Sequence, residues 1–421
     1  MSSPSSPTLY RAPFVVPVAT PPIADGGVLV DDGQIVAVDR FARLRSHGAT
    51  VVDVDDAIIA PALINCHAHL ELSHLAGFVL SGPEGSHGEG CAEPSDFPGW
   101  IRALLARRGQ PVPEEVIMAA GRKALVEQHE RGVSLVTDIG NQPASRDIGA
   151  GAKAECQFFR ELLAVAAGTA ASVLASLTDD EQCTAHAPYS CHPVLIKALK
   201  ERARRSGGLF PLHVAESAEE VAFLRTGSGP FHAFLKERLN ASGGMTEGQT
   251  LADILPHPGC GAVEYLNSLG VLDAQTICVH TVHISDAEGG VLAKAGAKVC
   301  LCPGSNRTLG VGKAPLPLLL NHRILPGLGT DSLASNNCLD LWQEMKVLQE
   351  DHPGVSPEQI FAMATWGGAV TLGVANRLGL LAPGLEARIL AIDFTGSQGD
   401  LFPALVSAGT AQQVTWLEGG E

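Results

Sequence analysis

Long apolar runs, a surplus of basic residues and Cys-x-x-Cys pairs are all missing from this sequence, and each absence closes off a class of function. No apolar run approaches the roughly 18 residues of a membrane-spanning helix, so no membrane partner is expected. Lysine and arginine number 29 against 45 aspartates and glutamates, a formal net charge of −16. Neutralising nucleic-acid phosphates takes clusters of Lys and Arg, so no nucleic-acid partner is expected, and the acidic surplus reads as a solubility feature. The ten cysteines include no Cys-x-x-Cys pair. Cys300 and Cys302 are two apart on an apolar run, which on a strand points both the same way and argues against a disulfide between them. That usage fits a reducing cytoplasm. Met1 to Thr8 is Ser- and Pro-rich and has no basic start followed by an apolar stretch, so no secretory leader is expected. What the chain does have is apolar content, 45% of 421 residues against 18% charged. This is enough for one large α/β barrel with a small accessory domain, or for two to three average domains.

The order of apolar runs favours the barrel. Gly27–Val30, an Asp31-Asp32-Gly33-Gln34 turn and Ile35–Val38 form a hairpin signal, and Arg388–Ile392 and Gln413–Leu417 are strand-like as well. The two ends are therefore expected to share a small composite β-sandwich domain, residues 1–60 with 378–421. Between them, strands are expected at about 61–67, 133–138, 155–160, 182–187, 209–214, 276–281, 297–302 and 324–330. They alternate with helical runs such as Glu114–Arg131, Pro193–Arg205, Ala218–Leu224, Asp286–Lys294 and Leu339–Gln349. Eight strands with intervening helices or long loops predict an α/β fold, a (β/α)8 TIM-like barrel over residues 61–377. Two stretches, Gly77 to Pro98 and Gly227 to Gly261, read as long loops that enclose a substrate.

Chemistry-bearing residues recur at the ends of those strands. The run Ile58–Cys66 reads as a short buried strand that ends in His67-Ala68-His69. Residues two apart share a face, so both imidazoles can converge on one divalent ion. His213 follows another strand as a third candidate ligand, and Glu216 stands three residues on. Metal-bound water has its pKa lowered to about 7 and becomes a nucleophile, and a neighbouring carboxylate can carry protons to a leaving group. The same pair also fits a core histidine beside a helix-capping glutamate. In Cys278-Val279-His280-Thr281-Val282-His283, His280 occupies the strand end, and His283 reads as a surface or structural residue at a helix start. Asp331 ends an apolar strand, where a carboxylate needs a partner. Asn336 and Asn337 fit turn positions. His186 ends the fourth barrel strand. No lysine stands there to bridge two metals, so one metal is expected, with His186 turned to substrate or to a structural role. The His-x-Glu and Pro-Cys-x-x-Cys signature of another zinc deaminase fold is absent.

Together these residues resemble the amidohydrolase superfamily, in the branch of cytosine, guanine and S-adenosylhomocysteine deaminases and triazine hydrolases, from about Gly26 to Asp393. The resemblance implies metal ligands His67, His69, His213 and Asp331, a proton shuttle Glu216, an orienting His280, and one zinc or iron(II). It implies a small-molecule substrate, and relatives of this kind are often dimeric or larger. His67–Ser73, His186–Ser190, Glu216–Leu235 with its Gly227-Ser228-Gly229, and Cys302–Arg307 are similar to the 6-aminodeoxyfutalosine deaminases of the futalosine route to menaquinone. Glu386-Ala387-Arg388 departs from the usual Lys-Ala-Asp, a drift of the terminal sheet that leaves the catalytic positions untouched. On this resemblance Glu71 and His186 are expected at the ribose or base. Asn306 and Arg307 are expected at the far end of the substrate, where a guanidinium suits a carboxylate; a surface helix contact is the alternative for Arg307. Two other readings stand beside it: ring opening or triazine hydrolysis at the same site, and a catalytically dead barrel kept for binding, which the complete set of candidate residues disfavours.

Overall fold

The structure is a computed structural model that describes residues 7–45, 48–78 and 96–418. The first five strands are β1 (Thr8–Val15), β2 (Ile23–Asp31), β3 (Gln34–Arg40), β4 (Thr50–Asp53) and β5 (Ala57–Pro61). The barrel strands follow as β6 (Leu63–Ala68), β7 (Val133–Gly140), β8 (Glu155–Leu162), β9 (Cys183–Ala185), β10 (Phe210–Val214), β11 (Thr276–His280), β12 (Lys298–Leu301) and β13 (Gly327–Leu328). The last two are β14 (Ile389–Asp393) and β15 (Val414–Glu418).

Both ends of the chain meet in one branched seven-stranded sheet, ordered β15-β14-β5-β1-β2-β3 with β4 paired to β1. The hairpin expected between β2 and β3 is present. Asp31 pairs with Gln34, and the two turn residues Asp32 and Gly33 carry φ of 48° and 71°. Two left-handed residues are what a tight turn needs to match strand twist.

Eight parallel strands form the barrel sheet in the order β10-β11-β12-β13-β6-β7-β8-β9. At the remaining seam the His213 N–H donates to the His186 carbonyl at 2.9 Å, and the Thr184 hydroxyl donates to the Pro211 carbonyl. The intervening helices carry ordinary start and stop signals. Pro193–Ser206 begins with proline in its first turn and ends at Gly207, φ 68°, while Leu195, Ile196, Leu199 and Ala203 form its buried face.

Three expectations need correction. The apolar run 58–66 is not one strand. It divides at Ala62, so β5 pairs with β14 in the terminal sheet while β6 enters the barrel. The strand expected at 324–330 shrinks to Gly327–Leu328, because Pro326 has no N–H for the ladder and Asp331 turns out at φ 58°. Gly227–Gly261 is not a bare loop. It holds the helix Pro230–Ala241, with Phe231, Phe234, Leu235 and Leu239 buried at helical spacing. Of Gly77–Pro98, residues 79–95 lie outside the described residues.

Sheet and barrel share a packed core. Ile58, Leu390 and Ile392 of the sheet join the main apolar cluster, and the helix Leu401–Ser407 packs on the barrel exterior through Phe402 and Phe361, ring centroids 6.4 Å apart. Among the described residues no helix is long and apolar enough to cross a membrane, and the nine cysteines are free thiols.

Candidate active site

Three stretches of chain bring four polar side chains together at the C-terminal ends of the barrel strands. His67 lies within β6 and His69 just beyond it, His213 within β10, and Asp331 just past β13. Their separations are short: His213 Nε2 is 3.3 Å from His67 Nε2 and 3.4 Å from His69 Nε2. Asp331 Oδ1 is 3.7 Å from His67 Nε2 and 3.5 Å from His69 Nε2. All four side chains are buried.

The backbone pays for this convergence with strain. Ala215, His280, Thr281 and Asp331 hold φ of 51°, 70°, 47° and 58°. Each non-glycine residue in that region costs roughly 1–2 kcal/mol, and such residues gather at functional sites. Neighbouring side chains hold the turns in place. The Glu220 carboxylate accepts the N–H groups of Ala215 at 3.1 Å and Glu216 at 2.8 Å. The hydroxyls of Ser305 and Ser335 donate to Asp331 Oδ2 at 2.6 and 2.7 Å, leaving Oδ1 toward the imidazoles.

The donor set fits one divalent ion. His213 Nδ1 is 3.0 Å from the His186 carbonyl, an acceptor, so Nδ1 carries the hydrogen and Nε2 carries a lone pair. Nitrogen lone pairs facing one another and a carboxylate in a buried pocket call for a shared cation, and three imidazoles with one carboxylate suit zinc, iron(II) or manganese. Burial, with the neighbouring histidines, drives His67 down to about 3, the neutral form that ligation requires. Burial opposes ionisation of Asp331, but His67, then His69 and His280, outweigh it and hold its carboxyl well below the usual range.

Beside this cluster stands a second pair. Glu216 Oε1 is 3.7 Å from His280 Nε2. Burial, then Asp331, Glu220 and Glu161, push the Glu216 carboxyl well above its usual range. Asn306 Oδ1 accepts from His280 Nδ1 at 2.9 Å, so His280 presents an unprotonated Nε2, which has no hydrogen-bond partner among the described residues. Glu216, His280 and Asp331 offer ligand atoms within 4.8 Å of one another. The cluster opens into a cavity of about 740 Å3 whose walls are mostly apolar, among them Leu72, Trp100, Leu104, Phe234, Leu235 and Leu239. It is of the size that accommodates a small organic ligand.

The expected substrate contacts divide. His186 lines the cavity, its Nδ1 2.7 Å from the Ser190 hydroxyl. Asn306 stands behind His280 rather than on the cavity wall. Glu71 is spent elsewhere: Oε1 pairs with Arg108 at 3.0 Å, and Oε2 accepts from Ser145 at 2.8 Å and the Gln142 N–H at 3.1 Å. Arg307 points away from the cavity to Glu350 and Asp351, at 2.5 and 2.9 Å. Consecutive helical residues diverge by about 100°, so Asn306 facing inward turns Arg307 outward. His283 is tied to the Val311 carbonyl at 2.7 Å, away from the ligands.

Sequence reasoning missed Glu161, at the end of β8. Its Oε1 is 3.5 Å from His213 Nδ1 and its Oε2 accepts from Asn141 at 2.8 Å. Burial pushes its carboxyl up, but His186, His213, His69 and Asn141 outweigh burial and hold it at about 2. The run before it, Glu155-Cys156-Gln157-Phe158-Phe159-Arg160, is too polar to single out a carboxylate at its end as the apolar run before Asp331 does. Arg108 and Arg238, both on the cavity wall, were also missed; no sequence pattern marks them.

Comparison with known proteins agrees with the fold. A 5-methylthioadenosine/S-adenosylhomocysteine deaminase of Pelotomaculum thermopropionicum is 26% identical, covering 93% of this chain and 86% of that relative. In fold, the chain is similar to Helicobacter pylori aminofutalosine deaminase in complex with methylthio-coformycin (TM-score 0.80, 21% identity, 98% and 99% of the two chains). It is likewise similar to an adenosine deaminase from Xanthomonas campestris with bound zinc (TM-score 0.73, 22% identity, 98% and 92%). The model of the Amidohydrolase family matches residues 58–415. The chain belongs to the amidohydrolase family and is a hydrolase of carbon–nitrogen bonds.

Proposed function

We propose that the protein is a metal-dependent hydrolytic deaminase of an aminopurine nucleoside, with 6-aminodeoxyfutalosine as its substrate and zinc or iron(II) as its metal. The observation that carries this reading is the Glu216–His280 pair, 3.7 Å apart, beside the cluster of His67, His69, His213 and Asp331 at the floor of an apolar cavity. A floor that moves protons and walls that bury a flat ring suit an aminopurine, and the curated relative named above is a deaminase of adenosine-type compounds. In this reading residues 61–377 form the catalytic domain and residues 1–60 with 378–421 the accessory sheet domain.

His67, His69, His213 and Asp331 would hold the ion, which when bound supplies the Lewis acidity that makes water nucleophilic near neutral pH. Glu216 gives a proton to ring N1 and takes one from the attacking water as oxygen adds to C6, hands that one to the departing amine, and recovers a proton from the C6 hydroxyl as the 6-oxo group forms. His280 Nε2 and Asp331 orient the attacking oxygen. Ammonia leaves and the ring becomes a 6-oxopurine. His186, on the cavity wall, contacts the base or ribose, and Asn306 acts through His280. The long apolar walls favour a nucleoside with a large 5′ substituent. With Arg307 turned outward, a carboxylate on that substituent would meet Arg108 or Arg238 instead.

The test is ammonia release by metal-quantified protein from 6-aminodeoxyfutalosine, adenosine, methylthioadenosine, S-adenosylhomocysteine, guanine and cytosine. Highest kcat/KM on 6-aminodeoxyfutalosine supports the full reading. Preference for another adenine nucleoside keeps the chemistry and removes the substrate. Activity confined to cytosine, guanine or ring-opening substrates overturns both.

A further inference from the structure

We infer that Glu161 is a substrate-binding residue whose free carboxylate oxygen accepts hydroxyl donors from the sugar of the nucleoside. The inference rests on the aminopurine-nucleoside reading above and adds a residue to it.

Glu161 is only 5% exposed, yet it lines the same cavity as Glu216, His280 and Asp331. One oxygen, Oε2, is held by the Asn141 amide at 2.8 Å. The other, Oε1, has no hydrogen-bond partner among the described residues. The nearest donor, His213 Nδ1 at 3.5 Å, is already given to the His186 carbonyl at 3.0 Å. A buried carboxylate oxygen left unpaired is costly, and a ligand that brings donors removes that cost.

The side chain is also preorganised. Arg108 donates to Asn141 Oδ1 at 2.8 Å and to Glu71 Oε1 at 3.0 Å, and Asn141 in turn holds Glu161. This chain gives Glu71 a purpose other than touching substrate: it anchors the support of a residue that does. An ionised carboxylate only accepts, so the position selects for hydroxyl or N–H donors and against phosphates and carboxylates. Glu161 stands beside His186, which faces the base or ribose. With the base at the reacting centre, the group of a nucleoside that carries paired donors is the vicinal diol of its ribose.

The test uses the metal-loaded full chain and Glu161→Gln, which keeps an acceptor for Asn141. Two readouts are taken: ammonia release from adenosine and 2′,3′-dideoxyadenosine, and calorimetric binding of the products inosine and 2′,3′-dideoxyinosine. A hydrogen bond to a charged group corresponds to roughly 10- to 100-fold. The substitution should raise the adenosine KM and the inosine Kd by that factor, with kcat held within about threefold. It should leave both dideoxy compounds unchanged, and metal content should stay at wild type. Equal losses on hydroxylated and dideoxy compounds, a fall in metal content, or a wild type indifferent to the hydroxyls would overturn the inference. Glu161-dependent binding of inosine without ammonia release from any aminopurine would sink the deaminase reading and leave this inference standing.

Discussion

Glu220 accepts the backbone N–H of Glu216 at 2.8 Å, and with its other oxygen the N–H of Ala215 at 3.1 Å. A fully buried side chain four residues on, in the first turn of the helix Ala218–Thr226, thereby fixes the strained turn that aims the Glu216 carboxylate into the cavity. Glu220→Ala leaves two buried N–H groups without acceptors, each worth about 1–3 kcal/mol. The expected outcome is a lower thermal midpoint and a kcat down by roughly 10- to 100-fold, with Glu220→Gln, which keeps one acceptor, in between. Paired melting curves and steady-state kinetics check this.

Asp331 offers one oxygen to the imidazoles because Ser305 and Ser335 occupy the other. Ser305→Ala should weaken metal retention by about 10- to 100-fold, the usual effect of losing a partner behind a ligand. Metal analysis after dialysis against a graded chelator measures it, and the far-ultraviolet circular dichroism should not change.

Arg307 provides the converse. Its partners Glu350 and Asp351 lie outside the cavity, and the guanidinium side chain is 42% exposed. Arg307→Ala should therefore leave kcat/KM within about threefold on a carboxylate-bearing substrate; the exposed Glu350 pair is worth no more than about 1 kcal/mol, and Lys313, 2.9 Å from the buried Asp351 carboxylate, still pairs it. A selective loss on the carboxylate substrate would return Arg307 to the binding site.

Asp138 is buried in β7, with Oδ1 accepting the Leu70 N–H at 2.8 Å and Oδ2 lacking a hydrogen-bond partner among the described residues. Burial pushes its carboxyl up from 3.8 to about 8, with Glu71 adding to the rise against the Leu70 hydrogen bond. The folded chain thus keeps a proton that the unfolded chain releases, so stability is lost as pH rises from about 4 to about 8. Asp138→Asn removes that titration. The difference between urea midpoints measured at about pH 5 and about pH 8 should shrink relative to wild type.

The sequence was most legible where one local period decides the outcome. His67 and His69 two apart on a strand can only face one way, and Asp331 closing an apolar run demands a partner. The alternation of strand and helix likewise announced the barrel. The break at Ala62 was illegible, because an uninterrupted apolar run carries no mark of passing from one sheet to another. The helix Pro230–Ala241 was hidden by the Gly-Ser-Gly-Pro before it, although Phe231, Phe234, Leu235 and Leu239 held the pattern of a buried face. No residue type announces the left-handed turns at Ala215, His280 and Asp331, where tertiary packing overrides local preference. For Arg307 the motif left substrate contact and a surface helix contact both open, because a motif gives neighbours in sequence, and a helix separates neighbours in space.

Glu216→Gln tests the central claim most directly, with bound metal and ammonia release measured on the same preparation as wild type. Wild type should carry one divalent ion per chain, and the variant should carry the same ion while releasing ammonia at least about 1000-fold more slowly. A variant that keeps working, or a wild type that retains no ion, would contradict the account.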